Sequence, residues 1–195
     1  MVMLEYIGTA LGFLCIYGLI RQKLFSWPAG IISTTIYVYI FFEAKLYSDV
    51  LLHIAYIILQ AYGWYYWLQG KRDELMPANI QRLSSREGAI WLAIACVGIY
   101  ALGLTMSTFT DASLPYFDAG TTVVSLIAQW LMTRKYLENW LIWVCVDVVA
   151  AAIYAYKALY PMSLLYLTYG MMGIFGFLAW RKALISDSSI ATQSA

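Results

Sequence analysis

The stretch NWLIWVCVD, from Asn139 to Asp147, places a carboxylate and two indoles inside a long apolar segment. Each residue of an α-helix advances by roughly 100°, so Trp140, Trp143 and Asp147, at i, i+3 and i+7, fall on one face. A carboxylate in an apolar membrane helix is costly unless something polar lies beside it. The stretch therefore predicts a helix that contributes to a ligand site.

The composition around this stretch indicates a membrane protein. Hydrophobic residues make up 63% of the 195 residues, aromatic residues 17% and charged residues 12%, which is far from the averages of soluble proteins. A net charge of +1 provides no field that could hold a nucleic acid. We therefore expect a chain embedded in the lipid bilayer, without nucleic acid as a partner.

Seven apolar stretches approach the roughly 20 residues that cross a bilayer. The predicted helices are 4–20, 25–43, 46–69, 88–108, 116–133, 138–157 and 159–180. Most connectors are short, which predicts antiparallel neighbours, whereas the polar connector 70–87 is long and contains Pro77. We expect the Ser- and Thr-rich tail 183–195 to be disordered.

The positive charges predict an orientation in the membrane. Ten of the twelve Lys and Arg residues fall on one side of the predicted bundle, including Lys71 and Arg72 in the connector after helix 3. Lys45 and Lys157 fall on the other side. Cytoplasmic connectors retain positive charge during insertion. We therefore expect the N-terminus outside and the C-terminus in the cytoplasm.

The chain also repeats itself at an offset of 113 residues, which aligns the first three predicted helices with the last three without a gap. The aligned pairs include Arg21 with Arg134, Trp27 with Trp140, Tyr56 with Tyr169, Gly63 with Gly176 and Trp67 with Trp180. Because four helices separate equivalent points, the two repeats run parallel. We predict an all-α membrane protein with seven transmembrane helices in a 3+1+3 arrangement.

This repeat divides the chain into units. The first three-helix repeat is predicted at 1–69, the connector and linker helix 4 at 70–115, and the second repeat at 116–182. Parallel repeats of transporters commonly hold substrate where they meet, near the middle of the membrane. Asp147 is expected at that depth.

Polar side chains on three predicted helices form the candidate site. Among the eleven acidic residues, Asp147 alone lies deep in a predicted helix, and no Lys or Arg lies at matching depth. The other candidates are His53, Tyr56, Gln60 and Trp64 on helix 3, Thr122, Ser125 and Gln129 on helix 5, and Asn139, Trp140 and Trp143 beside Asp147 on helix 6. Indoles, amides and hydroxyls suit a flat, polar or cationic solute.

Packing interpretations compete with this site. Thr122, Ser125 and the repeat mate of Asp147, Thr34, could bond their own backbone or a neighbouring helix. His53 could make an interhelical hydrogen bond, carry protons or contact a ligand. Trp140, together with Trp64 and Trp67, could belong to an aromatic belt at the membrane surface. The cost of burying a carboxylate favours the site for Asp147.

Two other functional classes find little support in the sequence. It contains no paired deep carboxylates, no HExxH or GxSxG motif and no phosphate-binding loop. We therefore expect neither enzymatic activity nor a metal or cofactor. A retinal-binding receptor would need a Schiff-base lysine in its last helix, and residues 159–180 contain no lysine.

Three segments carry a family resemblance, namely AQWLMTRKYLENWLIWVCVD (128–147), FFEAKLYSDVLLHIAYIILQAYGWYYW (41–67) and LYPMSLLYL (159–167). They resemble the Pnu family of bacterial vitamin transporters, and the similarity runs from Glu5 to Trp180. The resemblance implies a fold similar to the sugar-transporting SWEET proteins, a homotrimer and the bacterial inner membrane. It also implies facilitated diffusion, with a cytoplasmic kinase that traps the substrate by phosphorylation.

The resemblance assigns site residues by position. Asn139, Trp140, Trp143 and Asp147 match the family motif on helix 6, and His53 and Gln60 stand where members carry Gln and Asn. The implied substrate is nicotinamide riboside. Thiamine, which also has a cationic ring, and flavin-type vitamins remain alternatives, as does proton-coupled uptake through Asp147 and His53.

Overall fold

The computed structural model describes residues 2–70, 80–110, 114–156 and 158–193, and within these ranges the chain forms seven α-helices. They are α1 Val2–Ile20, α2 Ser26–Glu43, α3 Tyr47–Gln69, α4 Ser85–Phe109, α5 Pro115–Thr133, α6 Asn139–Tyr156 and α7 Tyr160–Gln193. Every predicted apolar stretch is a helix. Lys71, Arg72, Pro77 and Lys157, which enter the predictions of orientation and of the connector, lie outside the described residues.

Helix α7 continues well beyond Trp180, so the prediction of disorder is wrong for residues 183–193. Neither Pro nor Gly follows Gly176 to interrupt the helix. Ala183 and Leu184 also pack against the buried core, which supports the first turn past Trp180. A Ser- and Thr-rich composition is therefore compatible with helix here.

The outside of the bundle is apolar, as a lipid-facing surface must be. Four of the described helices, α1, α4, α6 and α7 as far as Ser186, are long and apolar enough to cross a membrane. The helices α2, α3 and α5 bury polar side chains such as Thr34, Gln60 and Ser125, which reduce their mean hydropathy. Large apolar side chains such as Leu92 and Val97 are exposed instead.

Six of the described helices close into a ring. Within each triplet, α1 contacts α2 and α2 contacts α3, and likewise α5 contacts α6 and α6 contacts α7. The third helix of each triplet meets the first helix of the other, because α3 contacts α5 and α7 contacts α1. Among the described helices, the backbone of α4 approaches α5 alone, so α4 lies outside this six-helix ring.

The backbone confirms that the two triplets are parallel repeats. Left-handed backbone conformations occur at Gln22 and Lys135, with φ of 52° and 58°, and at Lys45 and Ala158, with φ of 59° and 57°. Each pair is 113 residues apart, at the turn after the first helix of a triplet or after the second. Both hairpins of the first triplet therefore recur with the same geometry in the second.

Four buried tryptophans, Trp27, Trp67, Trp140 and Trp180, follow the same repeat, and we call them the tryptophan cluster. Trp27 meets Trp67 edge to face at 5.2 Å, and Trp140 meets Trp180 edge to face at 5.5 Å. The rings of Trp67 and Trp180, 6.1 Å apart, join the two halves. The cluster fills one end of the ring, which we call the tryptophan end.

Hydrogen bonds of this cluster cross between the repeats. The indole N–H of Trp67 donates to the carbonyl of Thr133 on α5 at 3.0 Å. The indole N–H of Trp180 donates to the carbonyl of Leu19 on α1 at 3.1 Å. Each repeat therefore anchors its third helix to the other repeat.

The residues just before α4 form a clasp on the turn between α5 and α6. Gln81 accepts from the N–H of Leu137 at 2.8 Å and donates its own N–H to the carbonyl of Lys135 at 2.9 Å. The carboxylate of Glu138 accepts from the N–H of Leu83 at 3.0 Å, and Ile80 is buried in the core of the tryptophan end. Among the described residues, this linker clasp contacts the turn of the second repeat.

Candidate substrate site

Asp147 lies inside the ring, in the middle of α6. It is 6% exposed, and its carboxylate makes no hydrogen bond or ion pair with any residue in the described ranges. A side chain added at Gly170 of α7 would lie 3.5 Å from the Asp147 Cβ, so the glycine keeps this side open. Asp147 is therefore buried, as predicted, and no Lys or Arg of the described residues forms an ion pair with it.

The neighbouring wall of the site combines α3 and α5. Tyr56 donates a short hydrogen bond to Ser125, which in turn donates to the carbonyl of Thr122 at 2.9 Å. The ring of Tyr56 is 6.4 Å from that of Trp143, which lies one turn before Asp147 on α6. The structure thus brings these predicted residues together around one point.

Gln60 connects α3 with α2. Its amide nitrogen donates to the hydroxyl of Thr34 at 2.9 Å, so Thr34 takes part in an interhelical hydrogen bond. The amide oxygen lies against Gly30 and Cys15 and has no hydrogen-bond partner among the described residues. A buried carbonyl oxygen without a partner costs free energy. Gln60 therefore holds a buried acceptor whose hydrogen-bonding capacity is unmet among the described residues.

Asn139 and Trp140 lie nearer the tryptophan end. The side-chain amide of Asn139 donates to the carbonyl of Tyr136, whereas its oxygen and the indole N–H of Trp140 find no partner among the described residues. Trp140 is 2% exposed, and Trp67 is also buried. The aromatic-belt interpretation is therefore wrong for these two indoles, because they do not face lipid.

His53 lies at the other end of the site, within α3. Its Nδ1 pairs with the carbonyl of Asp49 at 2.8 Å, so the hydrogen bond stays within its own helix. Its ring lies 4.8 Å from Phe41 and 5.6 Å from Tyr56. Within the described residues His53 makes no hydrogen bond to another helix, and its ring continues the aromatic wall through Tyr56.

Gln129 and Trp64 are not drawn into these contacts. Gln129 is half-buried, about one turn from Ser125 towards the tryptophan end, and makes no hydrogen bond with a described residue. Trp64 is 38% exposed and lies outside the tryptophan cluster. An aromatic belt remains a good interpretation of Trp64.

An apolar cleft of about 380 Å³ opens elsewhere, between α3, α4 and α5. Ile58, Trp91 and Trp130 are among the residues that line it, and none of the predicted site residues does. Its apolar walls suit hydrocarbon better than a polar solute. The cleft is therefore not part of the candidate site.

The structure adds two tyrosines of α7 that were not predicted as site residues. Tyr166 stacks on Tyr154 of α6 at 5.2 Å, and Gly170, the residue after Tyr169, packs against Asp147. Tyr169 is the repeat mate of Tyr56, so the 113-residue offset is the signal that could have identified it. Tyr166 has no such signal, because its mate is His53.

Outside the helices, one titratable side chain ties the second repeat to α4. Burial and the hydrogen bond that its hydroxyl donates to Glu87, at 2.9 Å, both raise the pKa of Tyr136. The phenol therefore stays protonated and remains a donor. It strengthens the contact between the linker clasp region and the turn between α5 and α6.

Two parallel three-helix repeats that close a ring around buried polar groups define a membrane transporter of small solutes. The chain belongs to the nicotinamide mononucleotide transporter family, whose model matches residues 2–182.

The chain is similar to several known proteins. It is 31% identical to the "Nicotinamide riboside transporter PnuC" of Escherichia coli (strain K12), over 91% of this chain and 84% of the relative. It is 24% identical to the "Riboflavin/roseoflavin transporter RibM" of Streptomyces davaonensis, over 90% of this chain and 83% of the relative. A structure titled "Crystal structure of the Vitamin B3 transporter PnuC" has the same fold, with a TM-score of 0.76 and 24% identity, over 94% of this chain and 82% of that one.

Proposed function

We propose that this protein imports nicotinamide riboside by facilitated diffusion. The observation that carries the proposal is the buried carboxylate of Asp147, which has no hydrogen-bond or ion-pair partner among the described residues and lies one turn after Trp143 on α6. Nicotinamide riboside offers a positively charged ring for the carboxylate and ribose hydroxyls for amides. The similarity to the relatives named nicotinamide riboside transporters supports this substrate.

The proposed binding site spans the middle of the ring. Asp147, Trp143 and Tyr56 would hold the ring of the substrate, and Gln60 would accept from a ribose hydroxyl. The remaining residues of the proposed site are Ser125, Thr122 and Gln129 beside Tyr56, His53 at the outer end, and Asn139 and Trp140 at the tryptophan end. We leave out Trp64 because of its exposure.

We further propose the bacterial inner membrane as the location, with the tryptophan end in the cytoplasm and the N-terminus outside. The support is the excess of Lys and Arg at that end, which includes Arg21, Lys23 and Arg134. A cytoplasmic kinase would then trap the substrate by phosphorylation, since a charged phosphate does not cross the apolar core of the bilayer. Three copies of the chain are proposed to form a homotrimer, in which 1–69, 70–115 and 116–182 are the units of each protomer.

Other vitamins are the second candidate. The similarity to the riboflavin transporter favours a flavin, and the cationic ring that Asp147 could bind favours thiamine. Proton-coupled uptake is the alternative mechanism, in which Asp147 and His53 would carry the proton.

Counterflow in proteoliposomes tests the proposal. Vesicles loaded with unlabelled nicotinamide riboside are expected to take up the labelled compound transiently, with no dependence on an imposed pH gradient. Empty liposomes serve as the control. Accumulation above the external concentration that follows the pH gradient would show coupled transport. Exchange of thiamine or riboflavin but not of nicotinamide riboside would show that the substrate is wrong.

A further inference from the structure

Two tyrosines of α7 form a corner with Asp147 on the side away from α3. Tyr166 and Tyr169 are one turn apart on the same face of α7, and their rings meet edge to face at 6.3 Å. Gly170, the residue after Tyr169, packs against Asp147 of α6, because a side chain added at this glycine would lie 3.5 Å from the Asp147 Cβ. The turn of α7 that carries both tyrosines therefore packs against the part of α6 that carries Asp147.

This corner is held in place by packing on both sides. The ring of Tyr154 stacks on Tyr166 at 5.2 Å with an interplanar angle of 13°. The ring of Phe13 on α1 lies 5.1 Å from Tyr169, whose hydroxyl would be 3.3 Å from a side chain added at Gly12. The orientation of the two tyrosines is thus set by neighbours from α1 and α6.

In this corner, the carboxylate of Asp147 has no counter-charge from the described residues. Asp147 is more than nine-tenths buried, and within the described ranges no cationic side chain pairs with it. A buried carboxylate needs a counter-charge or several hydrogen-bond donors. Aromatic faces next to a carboxylate are the arrangement that binds organic cations, because the faces attract positive charge and cannot hydrogen-bond as water does.

We propose that Tyr166 and Tyr169 line the substrate site beside Asp147 and that this corner selects solutes by the positive charge of their ring. This inference rests on the proposed transport function and deepens it. A cationic pyridinium or thiazolium ring satisfies the carboxylate, whereas a neutral ring of the same shape leaves it buried without a partner. The corner therefore discriminates against neutral heterocycles, including flavins.

A pair of ligands that differ in charge but hardly in shape tests the inference. Calorimetric titration of the purified protein with nicotinamide riboside and with its neutral 1,4-dihydro form measures the preference for charge. We expect wild type to bind the cation at least about tenfold more tightly. In Asp147→Asn the two affinities should come within about threefold of each other.

The tyrosines are tested by removing the rings and, separately, the hydroxyl. Tyr169→Leu should weaken binding of the cation by about fivefold or more and leave binding of the neutral form nearly unchanged. Tyr169→Phe keeps the ring and should keep the preference. Tyr166→Leu is the second variant if Tyr169→Leu does not fold. Tyr156→Leu is the matched control, because Tyr156 is 86% exposed at the end of α6.

The outcomes separate this inference from the proposed function. Equal wild-type affinity for both forms would overturn charge selection and leave the substrate assignment standing. If the Leu variants lost equal affinity for the cationic and the neutral form, the two tyrosines would have a packing role only. If neither form binds, nicotinamide riboside is wrong as the substrate. Titration with thiamine and riboflavin then tests charge selection: tighter binding of the cationic thiamine supports it, and tighter binding of riboflavin overturns it.

Discussion

At equivalent positions of the two repeats, the ring carries Thr34 on α2 and Asp147 on α6. In the first repeat, Gln60 donates to Thr34 at 2.9 Å. In the second, the position of Gln60 is taken by Gly173, which is packed against Val144, and Asp147 has no hydrogen-bond partner among the described residues. The first repeat therefore pairs Thr34 within itself, whereas the second leaves the carboxylate of Asp147 without a hydrogen-bond partner among the described residues. Duplication has preserved the scaffold, and the difference lies where we propose binding.

The largest expected effect comes from removing that carboxylate. Asp147→Ala should weaken binding of nicotinamide riboside by about 1.5 to 3 kcal/mol, the range for losing a hydrogen bond or contact with a charged group. Calorimetric titration of the purified variant measures the loss. Thr34→Ala is the matched variant in the first repeat and should cost less than about 1 kcal/mol of binding, because Thr34 is already bonded to Gln60. Comparable losses of binding free energy in the two variants would show that Asp147 contributes no more to binding than Thr34 does.

An intermediate effect on stability is expected where the repeats are alike. Gly63→Ala and Gly176→Ala each place a methyl group into the ring of a buried tryptophan, Trp27 and Trp140 respectively. Overpacking of this kind costs about 1 to 3 kcal/mol. Unfolding of the detergent-solubilised variants should show similar losses for both.

A glycine in open space provides the control for that pair. Nothing lies within 4 Å of a side chain added at Gly120 in α5. Gly120→Ala should therefore be neutral or slightly stabilising, because alanine has the higher helix propensity. A large loss at only one of Gly63 and Gly176 would show that the two halves of the tryptophan cluster are not equivalent.

The smallest effect is expected at the linker clasp, which in the part of the chain that the structure describes contacts the second repeat. Glu138→Gln removes the ion pair with Arg82, whose side chain is 72% exposed, and weakens the hydrogen bond from Leu83. Exposed pairs contribute little, so the free energy of unfolding should fall by less than about 1 kcal/mol. Amide hydrogen exchange at Leu83 and Leu137 should nevertheless become faster, because the clasp opens more often. Unchanged exchange would mean that the carboxylate does not hold the clasp.

Much of the fold could be predicted because the signals for it are local or repeated. Helix positions follow from the length of apolar runs, and the parallel repeats follow from aligned residues such as Trp27 with Trp140. The burial of Asp147 could be predicted for an energetic reason, since a carboxylate facing hydrocarbon is too costly to be retained without purpose.

Other features could not be predicted because hydropathy does not separate the inside of this ring from the outside. Tyrosines and tryptophans are suited both to lipid headgroups and to a binding site, so Trp140 and Trp64 have the same sequence signal and different locations. The role of Tyr166 depends on the contacts of α7 with α6, and the linker clasp depends on backbone hydrogen bonds of Gln81. Neither set of contacts produces a pattern in the sequence from which it could be predicted.

The position of α4 outside the six-helix ring predicts which of its residues can vary during evolution. It approaches one helix of the ring and exposes residues such as Val97 and Tyr100. Its main requirement is to bring the chain back across the membrane, so that the second triplet inserts in the same direction as the first. Selection on α4 should therefore act mainly on Gly98 and Gly103, where the absence of a side chain allows Val123 and Tyr116 of α5 to approach closely. Elsewhere along α4, apolar residues should be able to replace one another freely, and relatives should differ most there.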